Sequence, residues 1–260
     1  MIALRNKMTP KKIGVFDSGV GGISVLKSLI DSNSFEEIIY YGDTARVPYG
    51  VRSKETIIQY SLEALEFFKQ FNLDLLVVAC NTISAYALDS MQKFANYPIV
   101  GVIEPGVLAL TNNLDNKNAN ILILGTKATI NSNLYQNLLH TQGYTNINGL
   151  ATSLFVPIVE EGIFEGEILE STMKYYFKDY KESPDAIILG CTHFPLIAKA
   201  IANYYQNKPI LIHSGNAIME YLKQQYTFHS IKHKTKITFY ASDSLDKLKN
   251  TANLWLNCQF

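Results

Sequence analysis

The chain has 260 residues, 47% of them hydrophobic and 18% charged, and its 23 basic side chains are balanced by 23 acidic ones. This balance leaves no basic stripe for nucleic acid, the apolar runs are too short to span a membrane, and residues 1–12 lack the apolar core of a signal peptide. The length suits one large domain or two small ones, and the widely spaced Cys80, Cys191 and Cys258 suit free thiols in a reducing, cytoplasmic setting.

Residues 1–12 read as a short polar leader, with Met8 a second candidate start. A first strand is expected over 12–17, then a glycine-opened helix over 19–30 and a strand over 37–42. Residues 53–71 form an amphipathic helix with Ile58, Leu62, Leu65 and Phe68 on one face. A strand over 75–79, a helix over 81–94 and a strand over 99–103, ended by Glu104-Pro105, complete the first half. The second half begins again, with a strand over 121–124, a helix over 130–140 and a loop through Val156-Pro157. A helix over 167–177 and strands over 186–189 and 210–213 follow. The tail, 236–257, reads as a strand and a helix. Strands alternating with helices imply parallel sheets.

The two halves echo each other. Asp74-Leu-Leu-Val-Val-Ala-Cys80-Asn-Thr82 matches Asp185-Ala-Ile-Ile-Leu-Gly-Cys191-Thr-His193, with one aspartate-to-cysteine spacing in both. Ile13-Gly-Val-Phe-Asp17 aligns with Ile121-Leu-Ile-Leu-Gly125, and Arg46-Val-Pro-Tyr49 with Phe155-Val-Pro-Ile158. The cysteines differ by 191 − 80 = 111 positions, and the other pairs by 108 and 109, so three segments share nearly one offset in one order. The reading is a duplicated α/β domain. The tail has no counterpart and returns to the first domain. The expected division is 1–104 plus 216–260 for one domain and 105–215 for the other.

Each matched cysteine falls at the carboxyl end of a strand, where open α/β sheets place their ligands. Each is followed by helix-opening sequence: the cap-type Asn81 and Thr82, and a first-turn proline at Pro195. A helix N-terminus favours a thiolate. Two thiols facing across a cleft suit stereochemical inversion at one carbon, one removing a proton while the other delivers one to the opposite face. Taken alone, Cys80 is as well read as a buried structural cysteine, and His193 as a packed histidine. A zinc site on Cys80, Cys191 and His193 competes, but the spacing is unlike that of close ligand pairs and no fourth ligand stands out. Asp17-Ser-Gly-Val-Gly-Gly22 is not a dinucleotide loop: the final glycine is missing and Asp17 would repel a pyrophosphate. Its backbone amides suit a small carboxylate, and Asp17 itself suits an ammonium or a proton relay.

Six segments together carry a resemblance. They are Asp17-Ser-Gly-Val-Gly-Gly22, Tyr41-Gly-Asp-Thr-Ala-Arg-Val-Pro-Tyr-Gly50, Ala79-Cys-Asn-Thr82, Val102-Ile-Glu-Pro105, Leu124-Gly-Thr126 and Leu189-Gly-Cys-Thr-His-Phe-Pro195. From Ile13 onward the chain resembles the bacterial glutamate racemases of the aspartate/glutamate racemase superfamily. Ile38-Ile-Tyr-Tyr-Gly42 and Ser153-Leu-Phe-Val-Pro157 are similar to the Helicobacter and Campylobacter type.

The resemblance implies two pseudo-symmetric α/β domains, with parallel-rich sheets flanked by helices and the site in the interdomain cleft. It implies an enzyme that needs no cofactor and no metal, works in the cytoplasm as a homodimer, and supplies D-glutamate for peptidoglycan and so for cell shape. By the family pattern Cys80 takes the α-proton from D-glutamate and Cys191 from L-glutamate, assisted by Asp17, Glu160 and His193. Asp17, Ser18, Tyr49, Gly50, Asn81, Thr82, Thr126, Thr192 and His193 match substrate contacts. From the residues alone Glu160 is not distinguishable from Glu161. Ile83 is bulkier than the family pattern and is expected to alter the pocket wall. The stretch before Ile13 is shorter than the extension of relatives activated by a cell-wall precursor, so that regulation is not expected. Two alternatives are a two-lobed amino-acid-binding protein, which would not need paired thiols, and a racemase of aspartate or another acid.

Overall fold

A computed structural model describes residues 9–180 and 183–256. Met8, Cys258 and most of the leader lie outside the described residues.

The first half runs β1 (Lys12–Asp17), α1 (Ile23–Asp31), β2 (Glu37–Gly42), α2 (Lys54–Phe68), β3 (Leu75–Val78), α3 (Asn81–Tyr86), α4 (Leu88–Phe94), β4 (Ile99–Val100) and α5 (Ile103–Thr111). The second runs β5 (Ile121–Gly125), α6 (Lys127–Asn131), α7 (Leu134–Thr141), β6 (Ile147–Ala151), α8 (Phe155–Glu160), α9 (Glu167–Phe177), β7 (Ala186–Gly190), α10 (Ala198–Tyr204) and β8 (Ile210–Ile212). The chain ends with α11 (Ile218–Gln225), β9 (Lys236–Ala241) and α12 (Leu245–Leu256).

Two parallel sheets result, ordered β4-β3-β1-β2-β9 and β6-β5-β7-β8. Reversing the second gives β8-β7-β5-β6, which matches β4-β3-β1-β2 strand for strand. The duplication seen in sequence is thus a duplication of topology, with β9 added to the edge of the first sheet. The inner strands are buried along nearly their whole length. On β1, Ile13 and Val15 join one apolar layer and Phe16 the other, so helices cover both faces. The second sheet likewise has Leu122 and Leu124 on one side and Ile121 and Ile123 on the other.

The aspartates of the matched motifs have a structural task. Asp74 Oδ2 accepts hydrogen bonds from the Lys11 and Lys12 backbone N–H groups at 2.8 and 2.9 Å. Asp185 Oδ2 accepts one from Asn120 N–H at 2.8 Å. In each half the carboxylate pins the start of the neighbouring central strand, at the opposite end from the cysteine.

Several element boundaries differ from the sequence reading. The 19–30 helix begins only at Ile23, because the glycine turn stays irregular. The 53–71 helix is capped by Ser53, which accepts from Thr56 N–H, and ends at Phe68, with a 3₁₀ turn after it. The 81–94 helix divides at Ala87, where φ is −115°. The 99–103 strand is only Ile99–Val100; Ile103 opens α5, and Pro105 sits in the first turn, where its missing N–H is not needed. The 130–140 helix is two helices broken at Asn133, whose φ of +55° no helix tolerates. Val156-Pro157 is not a loop but lies within α8. The edge strand β6, with Asn148 and Gly149 exposed, has no apolar alternation to announce it.

Candidate active site

The carboxyl ends of β1 and β3 face those of β5 and β7, and a small cavity lies between them. Ser18, Tyr49, Gly50, Cys80, Asn81 and Thr82 line it from the first half, and Thr126, Cys191, Thr192 and His193 from the second. Val47, Pro48 and Val156 complete the wall. The cavity measures about 20 Å³, space for roughly one water. Both thiols are buried, with 5% and 6% exposure.

The seam around the cavity repeats the duplication. Thr82, two residues after Cys80, has its hydroxyl 2.8 Å from that of Thr126, at the end of β5. Thr192, one residue after Cys191, donates to Asp17 Oδ1, at the end of β1, at 3.4 Å. Ser24 also donates to the Thr192 carbonyl at 3.2 Å. Thr129 adds a third hydroxyl, 3.1 Å from Thr126 and 3.3 Å from Thr82. The two glycines nearest the seam leave no room for a side chain. A Cβ on Gly50 would lie 2.3 Å from Thr126 Cβ, and one on Gly21 would lie 2.4 Å from Thr192 Oγ1.

The groups beside the two thiols are not alike. Cys80 donates to Ser18 Oγ at 3.4 Å. Burial pushes the Cys80 thiol up to about 12, and the nearby Asp17 adds to the effect. Cys80 does stand at the N-terminus of α3, but burial outweighs the helix-end stabilisation expected from sequence. Cys191 has His193 Nδ1 3.7 Å from its sulfur, and His193 Nε2 lies 2.6 Å from Glu160 Oε1. Burial disfavours charge on His193, but its hydrogen bonds with Cys191 and Glu160 prevail and push it up to about 10. The Glu160 carboxyl is held below its ordinary value, since the His193 contact outweighs burial. The pair is therefore imidazolium and carboxylate at neutral pH. The structure separates Glu160 from Glu161, because Glu160 alone has this contact with His193.

Asp17 lies wholly buried behind the cavity, and burial raises its carboxyl above the ordinary range despite His193 and the amides of Gly22 and Gly19. Gly19 N–H donates to Asp17 Oδ2 at 3.0 Å. The glycine-turn amides expected to hold a ligand carboxylate thus serve the chain's own Asp17. Tyr49 lines the cavity, but its hydroxyl donates to Asp43, which also accepts from Arg46 Nε at 2.6 Å. Ile83 is fully buried in the core beside α2 and is not part of the cavity wall, which corrects the expectation of an altered pocket. Among the described residues no group of three or more His, Cys, Asp or Glu side chains is placed to hold a metal ion. None of the described helices is long and apolar enough to cross a membrane.

Residues 13–222 match the family model described as Asp/Glu/Hydantoin racemase. The chain belongs to that family. The match spans the second sheet and every residue of the cavity, and ends before β9 of the first sheet. A glutamate racemase from Campylobacter jejuni is 59% identical over 246 residues, covering 95% of this chain and 98% of the relative. One from Helicobacter pylori strain G27 is 57% identical over 252 residues, covering 94% and 99%. Among solved structures, the Campylobacter jejuni glutamate racemase superposes with a TM-score of 0.92, covering 95% of this chain and 98% of that one. A Francisella tularensis glutamate racemase solved in complex with D-glutamate is 33% identical, with a TM-score of 0.83 and coverage of 97% and 96%.

Of the 13 lining residues the sequence reading names all but Val47, Pro48 and Val156 as site residues, and it misses three residues that support the seam. Thr129, Ser24 and Tyr135, whose hydroxyl lies 2.8 Å from Asn81 Oδ1, carry no local signal. Only the offset between the halves, followed past the cysteines, points to residues near them.

Proposed function

We propose that the chain interconverts L- and D-glutamate by a two-thiol, two-base mechanism that needs no cofactor or metal. One observation carries this reading: equivalent strands of two duplicated halves are each followed closely by a cysteine, and both cysteines line one small cavity. The named relatives supply the substrate. Supply of D-glutamate for peptidoglycan, by a cytoplasmic homodimer with domains 1–104 plus 216–260 and 105–215, belongs to the same reading.

The α-proton of an amino acid is far less acidic than any side chain. Its removal calls for a base in contact, exclusion of water and dipoles aimed at the developing charge. With L-glutamate bound, the Cys191 thiolate takes the α-proton, leaving a carbanion-like centre and a Cys191 thiol. The Cys80 thiol then gives its proton to the opposite face, which yields D-glutamate and a Cys80 thiolate. The reverse reaction exchanges the roles, and the overall proton count is unchanged. The surroundings of the two thiols support this order of events. Cys80 is held as a neutral thiol, and the His193 imidazolium lies beside Cys191 as a partner for negative charge. This asymmetry supports Cys191 as the base toward L-glutamate.

The test is incubation of the pure protein with L-glutamate in deuterium oxide after dialysis against chelator. D-Glutamate carrying deuterium at the α-carbon is expected. Absence of exchange, or activity that returns only with added metal or pyridoxal, overturns the reading.

A further inference from the structure

One buried hydroxyl outside the proposed proton-transfer groups reaches the cavity wall from the opposite half. Tyr135, on α7 of the second half, is 1% exposed. Its hydroxyl lies 2.8 Å from Oδ1 of Asn81, the residue after Cys80, and 3.4 Å from Ser214 Oγ. The position of this hydroxyl is fixed by packing: a Cβ on Gly106 of α5 would lie only 2.7 Å from it. With Ser214 donating to the phenol oxygen, the phenol's single proton is left for Asn81. The Tyr135 hydroxyl is a firm donor, since burial raises it well above an ordinary tyrosine.

An amide side chain has an acceptor end and a donor end. Asn81 lines the cavity. With Oδ1 engaged by Tyr135, the end that remains for a ligand is Nδ2, with two N–H groups. A flipped amide would turn Oδ1 toward a substrate carboxylate and repel it, leaving the Tyr135 proton without an acceptor in a buried place.

We propose that Tyr135 is a positioning residue, which holds Asn81 across the seam with its N–H groups turned to the cavity as donors for a carboxylate of the substrate. The inference rests on the racemase reading for the identity of that substrate, but not for the direction of the amide. Tyr135 touches no reacting atom, and its effect should pass through binding.

Tyr135→Phe removes the hydroxyl and keeps the ring. KM for both enantiomers of glutamate is expected to rise roughly 10-fold, which corresponds to about one lost hydrogen bond, while kcat changes less than about 3-fold. In an Asn81→Ala background the same change should add less than about 2-fold, because its route to the substrate is gone. An unchanged KM in Tyr135→Phe, or fully additive losses in the double variant, overturns the proposal. Asn81→Asp gives a test that does not depend on how Tyr135→Phe folds. Tyr135 can still donate to one carboxylate oxygen, but the other faces the substrate, so KM should rise more than about 100-fold with thermal unfolding little changed. Retained affinity in that variant overturns the donor orientation. If the wild-type chain binds glutamate without racemising it, the racemase reading fails, and Kd from calorimetry replaces KM in the same comparisons.

Discussion

Glu160 Oε1 lies 2.6 Å from His193 Nε2, in a carboxylate–imidazole pair that stands behind Cys191 and has no equivalent behind Cys80. The duplicated fold is therefore symmetric in its strands and asymmetric in the groups beside its two cysteines. Where Cys191 has a cation beside it, Cys80 has the Ser18 hydroxyl and the buried Asp17.

On the proposed mechanism both thiols are required for inversion. Cys80→Ser and Cys191→Ser should each lower racemisation by roughly 10³-fold or more, since a proton donor or acceptor is lost on one face. Each variant should still eliminate the leaving group from one enantiomer of a β-substituted analogue, in opposite senses. Near-normal racemisation by either variant would refute the two-base scheme.

Asp17 and His193 should tune the two directions unequally. Asp17→Asn and His193→Asn are each expected to lower kcat roughly 10²-fold, the lower end for a proton-handling group. The ratio of kcat/KM values is fixed by an equilibrium near unity. The asymmetry must then appear in kcat and KM separately, and in the α-deuterium isotope effect for each enantiomer. Unchanged kinetics in both variants would make these residues structural only.

Glu160 and Glu161 are neighbours in sequence but differ in their contact with His193. Glu160→Gln should lower kcat with L-glutamate by roughly 10-fold or more, by removing the carboxylate that, after the Cys191 contact, raises His193 most. Glu161→Gln should leave kcat within about 2-fold, the scale of a surface change. Equal effects would show that the Glu160–His193 contact has no part in turnover.

The same pair should be visible in stability. His193 is raised to about 10 from an ordinary value of 6.5, so its contribution is full below about 6.5 and is lost as pH rises through 10. Glu160 is depressed, so its contribution is present above the ordinary glutamate value and is lost as pH falls through its folded value. The stability difference between wild type and His193→Asn should be greatest near pH 6 and shrink steadily toward pH 10. Urea titrations across that range will show it, and a difference independent of pH would mean that His193 is not charged in the folded protein.

Gly50 should tolerate no side chain. Its Cβ would meet Thr126 at 2.3 Å, and both residues line the cavity. Gly50→Ala is expected to lower kcat/KM roughly 10²-fold by displacing the two halves, with far-ultraviolet circular dichroism unchanged. Normal activity would show that the halves need not meet as closely as they do here.

The strands and the cysteines were legible because buried parallel strands read as uninterrupted apolar runs, and both cysteines follow such runs. Asp17, Thr82, Thr126 and Thr192 sit at strand ends or just after them, so they too could be placed. Glu160 was not separable from Glu161, because which of two adjacent side chains turns toward His193 depends on the phase of α8, a helix of only 6 residues. Tyr135 was invisible for a different reason. It lies 54 positions from Asn81 and meets it only because α7 packs against the opposite half. The glycine turn misled in a third way. Its composition advertises an anion cradle, and the anion it cradles is Asp17.

The cavity of about 20 Å³ has a consequence for how binding should be measured. An amino acid is much larger than one water, so the two walls are expected to move apart as substrate enters. If entry requires the Thr82–Thr126 and Thr192–Asp17 contacts to part, the observed dissociation constant is weakened by the fraction of molecules in which they are parted. Thr129→Val removes one hydroxyl from the seam without touching the cavity wall. It should then quicken substrate capture in stopped-flow measurements, an improvement obtained by making the resting molecule less well fastened.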